Sequence, residues 1–394
     1  MKIGIPKEVA LNEFRVALIP DNIQRLSTKG LTFLVETGAG CVAGFDDQAY
    51  RDAGAEVLSD AASVYEKVDI VLSVNLSGQG VSDCASELRA GQLLIGMMDP
   101  LADADKFFAL ADKGVSSVAM ELIPRTGRAQ SMDVLSSMAT LAGYKAVLMA
   151  ATSSQRIYPM MMTAAGNLSP ARVFIMGAGV AGLQAAATAK RLGAVVEAYD
   201  VRPAAREQIL SVGAKPIELD LEADTTEGKG GYAREQSADF LRRQREQMTQ
   251  ILAEQDIVIT TAAVPGARSP VLITAEMVRA MKPGAIIVDL ASERGGNCEL
   301  TQHGSVITEH GITIIGPDNI ASSLAHHASQ MFGNNLENFL DLILDDNGGY
   351  TLDFDDDIIQ QAVVTKGGEI IHERIRNLAG LEPLVDEPTM EEVA

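Results

Sequence analysis

The sequence is poor in cysteine, in tryptophan and in positive charge. Its 394 residues include three cysteines, no tryptophan, and 32 lysine and arginine residues against 53 aspartate and glutamate residues. The resulting net charge of −21 argues against a nucleic-acid-binding surface and against direct attachment to an anionic membrane. Cys41, Cys84 and Cys298 are scattered and form neither a CxxC motif nor a metal-type spacing. A reducing compartment is therefore the simplest interpretation.

The sequence also has little that resembles a targeting or membrane segment. The N-terminal MKIGIPKE reads as the start of a strand, because it lacks the apolar core and the cleavage site of a signal peptide. Residues 136–151 come nearest to a membrane span, but Gly143, Tyr144 and Lys145 interrupt their apolar character. We therefore expect no direct membrane insertion, and any work at a membrane requires a partner that holds the protein there.

Strand and helix signals alternate along the chain, which predicts an α/β protein with parallel sheets covered by helices on both faces. Shorter helices are predicted over residues 20–29, 61–67 and 103–113, and longer ones over residues 134–152, 233–254 and 319–345. The helix from residue 134 crosses between two domains, and the helix from residue 319 returns the chain to the first. The predicted domains are residues 1–133 with 320–394, and residues 134–319. Residues 382–394 are acidic and are expected to be disordered or a linker.

Residues 172–200 have the order strand, glycine turn, helix, strand and acid that is typical of dinucleotide binding. Gly177 permits the sharp turn, Gly179 lets a pyrophosphate approach the backbone, and Gly182 lets the helix pack against the strand. Asp200 can accept hydrogen bonds from ribose hydroxyls and would repel a 2′-phosphate, which favours NAD over NADP. Arg202 complicates this interpretation, because it can pair with such a phosphate or stack on adenine. The alternative is a glycine-rich turn without a ligand.

Three other polar segments are candidates for chemistry. Residues 125–133 carry donors and acceptors that suit the carboxamide of a nicotinamide ring, or they form a solvated loop with a helix cap at its end. Residues 230–234 form either a hinged loop that closes on a ligand or a surface loop. Residues 289–297 follow a buried strand at the end where open α/β sheets bind ligands. No Ser-His-Asp arrangement is predicted, and the four histidines are interpreted as structural or surface residues: His303, His310, His326 and His327.

Segments along nearly the whole chain, residues 1–380, resemble the soluble NAD(H)-binding component of proton-translocating NAD(P) transhydrogenase. They include MKIGIPKE, FRVAL, ETGAG, MELIPR, RAQSMDVLSS, LAGYKAV, MMTAAG, GAGVAGLQAAATAKRLGAVV and GGYA, of which RAQSMD is the most specific. The resemblance implies two Rossmann-like doubly wound parallel-sheet domains, separated by a cleft and joined by long helices. It implies a homodimer that is cytoplasmic and attached to the inner membrane through membrane-spanning partner components. Hydride would pass directly between NAD(H) here and NADP(H) on a partner, coupled to proton translocation.

The resemblance also assigns residues to the site. Loop residues would orient the nicotinamide ring, with support from the following helix: Arg125, Gln130, Asp133, Ser136 and Tyr144. Tyr232 matches the tyrosine of a mobile loop that folds over the nucleotide. The implied cofactor-binding set is Gly127, Gly177, Gly179, Val180, Ala181, Gly182, Asp200, Val201, Arg202, Gly231, Tyr232, Gln244 and Ala263, and no metal site is implied.

Alanine dehydrogenase is the closest rival, because it shares the fold and the opening motifs. Arg15 of its pyruvate-handling set remains, but Asn75 and Asp99 stand where the rival has a lysine and a histidine. Glu293 replaces an aspartate before the paired glycines. The chain also offers no obvious general acid or base, and direct transfer between two nicotinamides requires none. A non-catalytic NAD-binding module is the second alternative.

Overall fold

The computed structural model describes residues 1–77, 80–219, 238–264, 266–345 and 348–384, without the side chains of residues 238–241 and 244. The chain divides into two compact units. Unit 1 consists of Met1–Leu135 and of the chain from Ala325 onward, and unit 2 is Ser136–Leu324. The chain therefore leaves unit 1 at the start of a long helix and re-enters it at the start of another.

The elements of the described residues are as follows. The strands are β1 (Lys2–Ile5), β2 (Thr32–Glu36), β3 (Glu56–Leu58), β4 (Ile70–Asn75), β5 (Leu93–Met97), β6 (Ser116–Ala119), β7 (Met161–Thr163), β8 (Gly166–Leu168), β9 (Arg172–Met176), β10 (Val195–Tyr199), β11 (Lys215–Pro216), β12 (Ile257–Thr260), β13 (Ile286–Asp289), β14 (Ser305–Glu309), β15 (Ile312–Gly316), β16 (Val363–Lys366) and β17 (Glu369–Ile370). The helices are α1 (Pro20–Ser27), α2 (Asp47–Asp52), α3 (Ala61–Lys67), α4 (Gly80–Glu87), α5 (Phe107–Asp112), α6 (Val134–Ser153), α7 (Val180–Arg191), α8 (Ala205–Ser211), α9 (Ala238–Leu252), α10 (Ala275–Ala280), α11 (Ala325–Ile343), α12 (Asp357–Ala362) and α13 (Glu373–Leu378).

Unit 1 is built on a sheet in the order β17-β16-β6-β5-β4-β1-β2-β3. The pairs from β6 to β3 are parallel, whereas β16 runs antiparallel to β6 and β17 antiparallel to β16. Strand β4 is buried over five consecutive residues, as expected for a parallel strand with both faces covered. Strand order reverses between β4 and β1, so the carboxyl ends of these two strands form the switch point of the sheet.

Unit 2 is built on a sheet in the order β11-β10-β9-β12-β13-β15-β14, parallel except for the final β15–β14 pair. Alternate residues of β9 enter different cores. Val173 and Ile175 pack with buried residues of α6 and α7, and Phe174 and Met176 pack with buried residues of α9 and α10. Helices therefore cover both faces, and strand order reverses between β9 and β12.

Several predicted helices begin later than expected. The helix predicted from residue 103 begins at Phe107, because hydrogen bonds typical of tight turns precede it, including Phe107 N–H to Ala104 O at 3.2 Å. The helix predicted from residue 319 is wrong in its first turn. Asn319 has a φ of +40°, outside the α-helical region, and a short 3-10 helix, Ile320–Leu324, comes before α11. Residues 233–237 of the helix predicted over 233–254 and residues 385–394 of the tail lie outside the described residues.

The hairpin β7–β8 is a feature that sequence patterns did not predict. Its residues are exposed on both strands, and Met160 and Met162 keep 63% and 73% of their surface. Alternation of apolar and polar residues arises from burying one face of a strand, so a hairpin exposed on both faces carries no such signal.

Helix α6 contradicts the expectation that no segment approaches a membrane span. It runs without interruption through Gly143, Tyr144 and Lys145, and by length and apolar composition alone it could cross a membrane. One such helix is weak evidence, because long core helices pass the same test. Ala146, Val147 and Ala150 of α6 belong to the buried core of unit 2.

Candidate functional site

The glycine turn after β9 has the geometry that its sequence predicts. Gly177 has a φ of +99°, and a Cβ there would lie 2.6 Å from the Thr261 hydroxyl oxygen. A Cβ on Gly182 would lie 1.8 Å from the carbonyl oxygen of Gly177, so α7 packs against the turn more closely than any side chain allows. Gly143 of α6 repeats this close approach on the other side of α7, where a Cβ would lie 2.1 Å from the carbonyl oxygen of Ala181.

Gly179 differs from its two neighbouring glycines, because a Cβ there would meet no atom within 4 Å. It is the N-cap of α7 and has no side chain with which to cap the first turn, where Val180 is 40% exposed. The first-turn N–H groups of a helix have no partner within the helix and carry its positive dipole end. An open surface of this kind fits the pyrophosphate of a dinucleotide.

Asp200 and Arg202 form an ion pair beside the turn. The Arg202 guanidinium donates from Nε to Oδ1 of Asp200 at 2.9 Å and from Nη2 to Oδ2 at 3.0 Å. Oδ2 also accepts the backbone N–H of Ala178 at 2.7 Å. The carboxylate therefore connects the end of β10 to the glycine turn. Of the partners that the sequence left open for Arg202, the structure shows the neighbouring carboxylate.

A second network holds the end of β12 next to Gly177, and sequence analysis did not foresee it. Asn297, fully buried, binds both backbone groups of Ala262, accepting from its N–H at 2.9 Å and donating to its carbonyl at 2.8 Å. Buried Asp289 accepts from the Thr260 hydroxyl at 2.9 Å and from the Asn297 N–H at 2.8 Å. Residues 289–297, noted only for their position after a strand, thus position the segment that leads to exposed Ala263.

The polar loop of residues 125–133 lies in unit 1 and ends in a 3-10 helix, Gln130–Met132. Arg125 Nε lies 3.9 Å from Asp133 Oδ2, so an ion pair brings the ends of the loop together. Gly127 and Gln130 are exposed, whereas Ala129 is fully buried. The loop therefore presents polar groups to solvent on a backbone that is fixed from inside unit 1.

The remaining predicted site residues lie on α6 or outside the described residues. Ser136 and Tyr144 are both on α6, about 12 Å apart along its axis from the rise of an α-helix, and Tyr144 is 40% exposed. Gly231 and Tyr232 lie outside the described residues, as does the Gln244 side chain. Val201 and Ala181 are partly exposed beside the glycine turn.

The structure does bring a serine, a histidine and an aspartate together, contrary to expectation. His303 Nδ1 lies 3.3 Å from the Ser292 hydroxyl, and its Nε2 lies 3.4 Å from Asp318 Oδ1. Ser292 is only 3% exposed, and its hydroxyl donates to the carbonyl of Pro317 at 2.7 Å. A buried hydroxyl that donates to a backbone carbonyl is poorly placed as a nucleophile, so the group connects β13 to β15.

Arg15 is buried in an ion pair within unit 1. Its Nε and Nη2 donate to the two carboxylate oxygens of Glu13 at 2.6 Å and 2.5 Å, and its side chain is 3% exposed. Asn75 also reaches Glu13, with Nδ2 3.4 Å from Oε2. The arginine that the rival activity would use for a substrate carboxylate is therefore already paired with a carboxylate of the chain.

Comparison with protein-family models gives a match over both units. The model for the N-terminal domain of alanine dehydrogenase/PNT matches residues 4–142, and the model for its C-terminal domain matches residues 146–373. The chain belongs to the alanine dehydrogenase/PNT family. The resemblance to transhydrogenase and the kinship with alanine dehydrogenase that the sequence predicted are thereby confirmed, and family membership implies binding of NAD(H).

Relatives within this family are more similar on the transhydrogenase side. The first of the chains that make up NAD(P) transhydrogenase subunit alpha in Rhodospirillum rubrum is 45% identical over 94% of this chain and 98% of its own. Alanine dehydrogenase of Bacillus subtilis is 31% identical over 79% of this chain and 75% of its own. The solved structure of the Sinorhizobium meliloti transhydrogenase superposes with a TM-score of 0.81 at 41% identity, covering 94% of this chain and 99% of the other. The predicted Rossmann-like α/β fold is confirmed.

Proposed function

We propose that the chain is the NAD(H)-binding component of a proton-translocating NAD(P) transhydrogenase. The observation that carries the proposal is the open glycine turn at Gly179, in a chain 45% identical to a transhydrogenase alpha subunit. Hydride would pass between NAD(H) on this chain and NADP(H) on a partner component. Membrane-spanning components would couple the transfer to proton translocation and hold the protein, as a homodimer, at the inner membrane.

The bound dinucleotide would supply the hydride donor or acceptor, and unit 2 would hold it by its adenosine and pyrophosphate half. The first-turn N–H groups of α7, at Val180, Ala181 and Gly182, would bind the pyrophosphate. Asp200 would accept from the ribose hydroxyls, and its lone pairs not used by Arg202 and the Ala178 N–H would serve for this. A 2′-phosphate would meet this carboxylate, which supports a preference for NAD(H).

The loop of residues 125–133 would orient the nicotinamide ring. A carboxamide offers one acceptor and two donor hydrogens, and the side chains of Arg125, Gln130 and Asp133 provide the complementary groups. Direct transfer between two nicotinamides moves no proton at the reacting carbons, so positioning is the main requirement. The Ser292–His303–Asp318 group needs no role in this reaction. Ser136, Tyr144, Gly231, Tyr232, Gln244 and Ala263 remain proposed supporting residues of the site.

Direct transfer is tested by mixing the purified chain with an NADP(H)-binding transhydrogenase component and following reduction of an NAD analogue by NADPH. We expect rapid transfer that requires both proteins. Gln130→Asn shortens the side chain by one methylene and should lower the transfer rate about 10- to 100-fold with nearly unchanged NADH affinity. Equal losses of rate and affinity would mean that the loop serves only binding.

Alanine oxidation is the matched control reaction, because a related family member is an alanine dehydrogenase. Since Arg15 is paired with Glu13, we expect negligible pyruvate formation from alanine and NAD⁺ by this chain. Robust pyruvate formation, with no transfer to an NADP(H)-binding component, would replace the proposal by the alanine dehydrogenase activity.

A further inference from the structure

Two long-range contacts hold the loop of residues 125–133 on either side of Gln130. Before Gln130, the guanidinium of Arg128 donates to the two carboxylate oxygens of Asp356 at 2.6 Å and 2.7 Å, and it also contacts Asp357. After Gln130, the Nδ2 of Asn335 donates to the carbonyl oxygen of Ser131 at 2.7 Å. Both contacts lie within unit 1.

The elements behind these contacts are themselves fixed. Asn335 lies on α11, on the same face as fully buried Phe332 and Phe339. Helix α11 is tied to α1 by a 2.6 Å ion pair between Glu337 and Arg25. The Asp356 side chain is the N-cap of α12, accepting the N–H of Ile358 at 2.8 Å. Each contact therefore transfers the rigidity of a helix to the loop.

Asn335 is an unusual residue for its position, which points to a role beyond packing. It is 5% exposed, and among the described residues its Oδ1 is buried without a hydrogen-bond partner. A buried carbonyl oxygen without a partner destabilises the folded state, and an apolar side chain of similar size would avoid that cost. The bond from Nδ2 to the Ser131 carbonyl is what the amide provides in return.

We infer that Arg128 and Asn335 are positioning residues that fix the backbone around Gln130, and that the rate of hydride transfer depends on them. The inference rests on the proposed function for its effect on rate. Neither side chain is required to touch the cofactor. A shift of about 1 Å in a reacting geometry is enough to lower a rate about 100-fold, so loosening either contact acts on transfer before it acts on binding.

The test compares Asn335→Leu and Arg128→Gln with Asn338→Leu in the full chain. Asn338 lies on the same helix, and its Nδ2 donates to the α11 backbone at Asn334 O, so it is the matched control. For each variant, hydrogen exchange of the 126–133 peptide, the NADH dissociation constant and the rate of transfer with an NADP(H)-binding component are measured. Arg128 is half-exposed, so its variant folds even if Asn335→Leu does not.

We expect faster exchange in the 126–133 peptide and transfer slowed about 10-fold or more, with the NADH dissociation constant within about twofold of the parent. Asn338→Leu should change none of these. Unchanged exchange, or faster exchange with unchanged transfer, would overturn the inference. A parent protein that exchanges slowly in this peptide but transfers no hydride would instead reject the proposed function, while exchange would still report whether the two residues hold the loop.

Discussion

The two sheets share a switch point but treat it differently. In unit 2 the turn after β9 exposes Gly179 and the N-terminus of α7, with open space where a side chain would be. In unit 1 the segment after β1 instead directs the Glu8 carboxylate onto the end of β4. It accepts from the Ser73 hydroxyl at 2.7 Å, the Val74 N–H at 2.6 Å and the Asn75 N–H at 3.3 Å.

The difference shows that topology alone does not make a nucleotide site. Both crevices offer donors to an anion at the carboxyl ends of parallel strands, but in unit 1 a carboxylate of the chain already occupies that role. Burial raises the pKa of Glu8 to about 7, only partly opposed by the hydrogen bonds from Val74 and Ser73. Unit 1 thus carries an internal anion at a cost in stability, and unit 2 leaves the equivalent place open.

The largest expected effect comes from closing the packing of the unit 2 turn with Gly182→Ala. Its methyl group would lie 1.8 Å from a backbone carbonyl, so α7 has to move away from β9. We expect a loss of about 3 kcal/mol in the free energy of unfolding, together with weaker NADH binding. Gly80→Ala in α4 is the control, because its Cβ has only ordinary contacts, the nearest at 3.8 Å. Equal stability of the two variants would contradict the close packing of α7.

The next effect concerns Glu8 in unit 1. Its pKa in the folded protein is about 7, above the ordinary value of 4.5, so folding favours the protonated form. The cost of the buried charge is therefore fully present above pH 7 and disappears as the pH falls towards 4.5. Glu8→Gln should reduce the difference in stability between pH 5 and pH 8 by about 2 kcal/mol, measured by urea unfolding at both values.

Exposed Glu66→Gln in α3 provides the comparison for this change. Burial likewise raises the pKa of Glu121 to about 7, so part of the pH dependence will persist in the Glu8 variant. An identical pH dependence in the parent and in Glu8→Gln would mean that Glu8 is not a buried charge at pH 8.

The unit 2 turn was predictable from the sequence because its determinants are local. Gly177, Gly179 and Gly182 each act on atoms of the strand and helix that flank them, so their spacing already contains the geometry. Asp200, at the end of the next strand, completes the same short unit, and its bond to the Ala178 N–H follows from the pairing of β9 with β10.

The supports of the site could not be predicted in this way, because they join residues far apart in the chain. Asn335 is 204 residues from Ser131, and Asp356 is 228 residues from Arg128. Neither has a spacing that marks it, and a single asparagine in an amphipathic helix has no pattern at all. The Asn297–Ala262 pairing was missed for the same reason, although the segment that contains Asn297 was noted for its position after β13.

The smallest effect sharpens the contrast between the two units most directly. Gly179→Ala adds a methyl group that meets no protein atom within 4 Å, so stability should stay within about 0.5 kcal/mol of the parent. The same methyl group would stand where the pyrophosphate approaches the backbone, and NADH affinity should fall about tenfold, close to ~1.4 kcal/mol. Calorimetric titration with NADH, together with thermal unfolding, measures both quantities. Loss of stability without loss of affinity would mean that the space at Gly179 serves folding, and the open switch point of unit 2 would then lose its distinction from the filled one of unit 1.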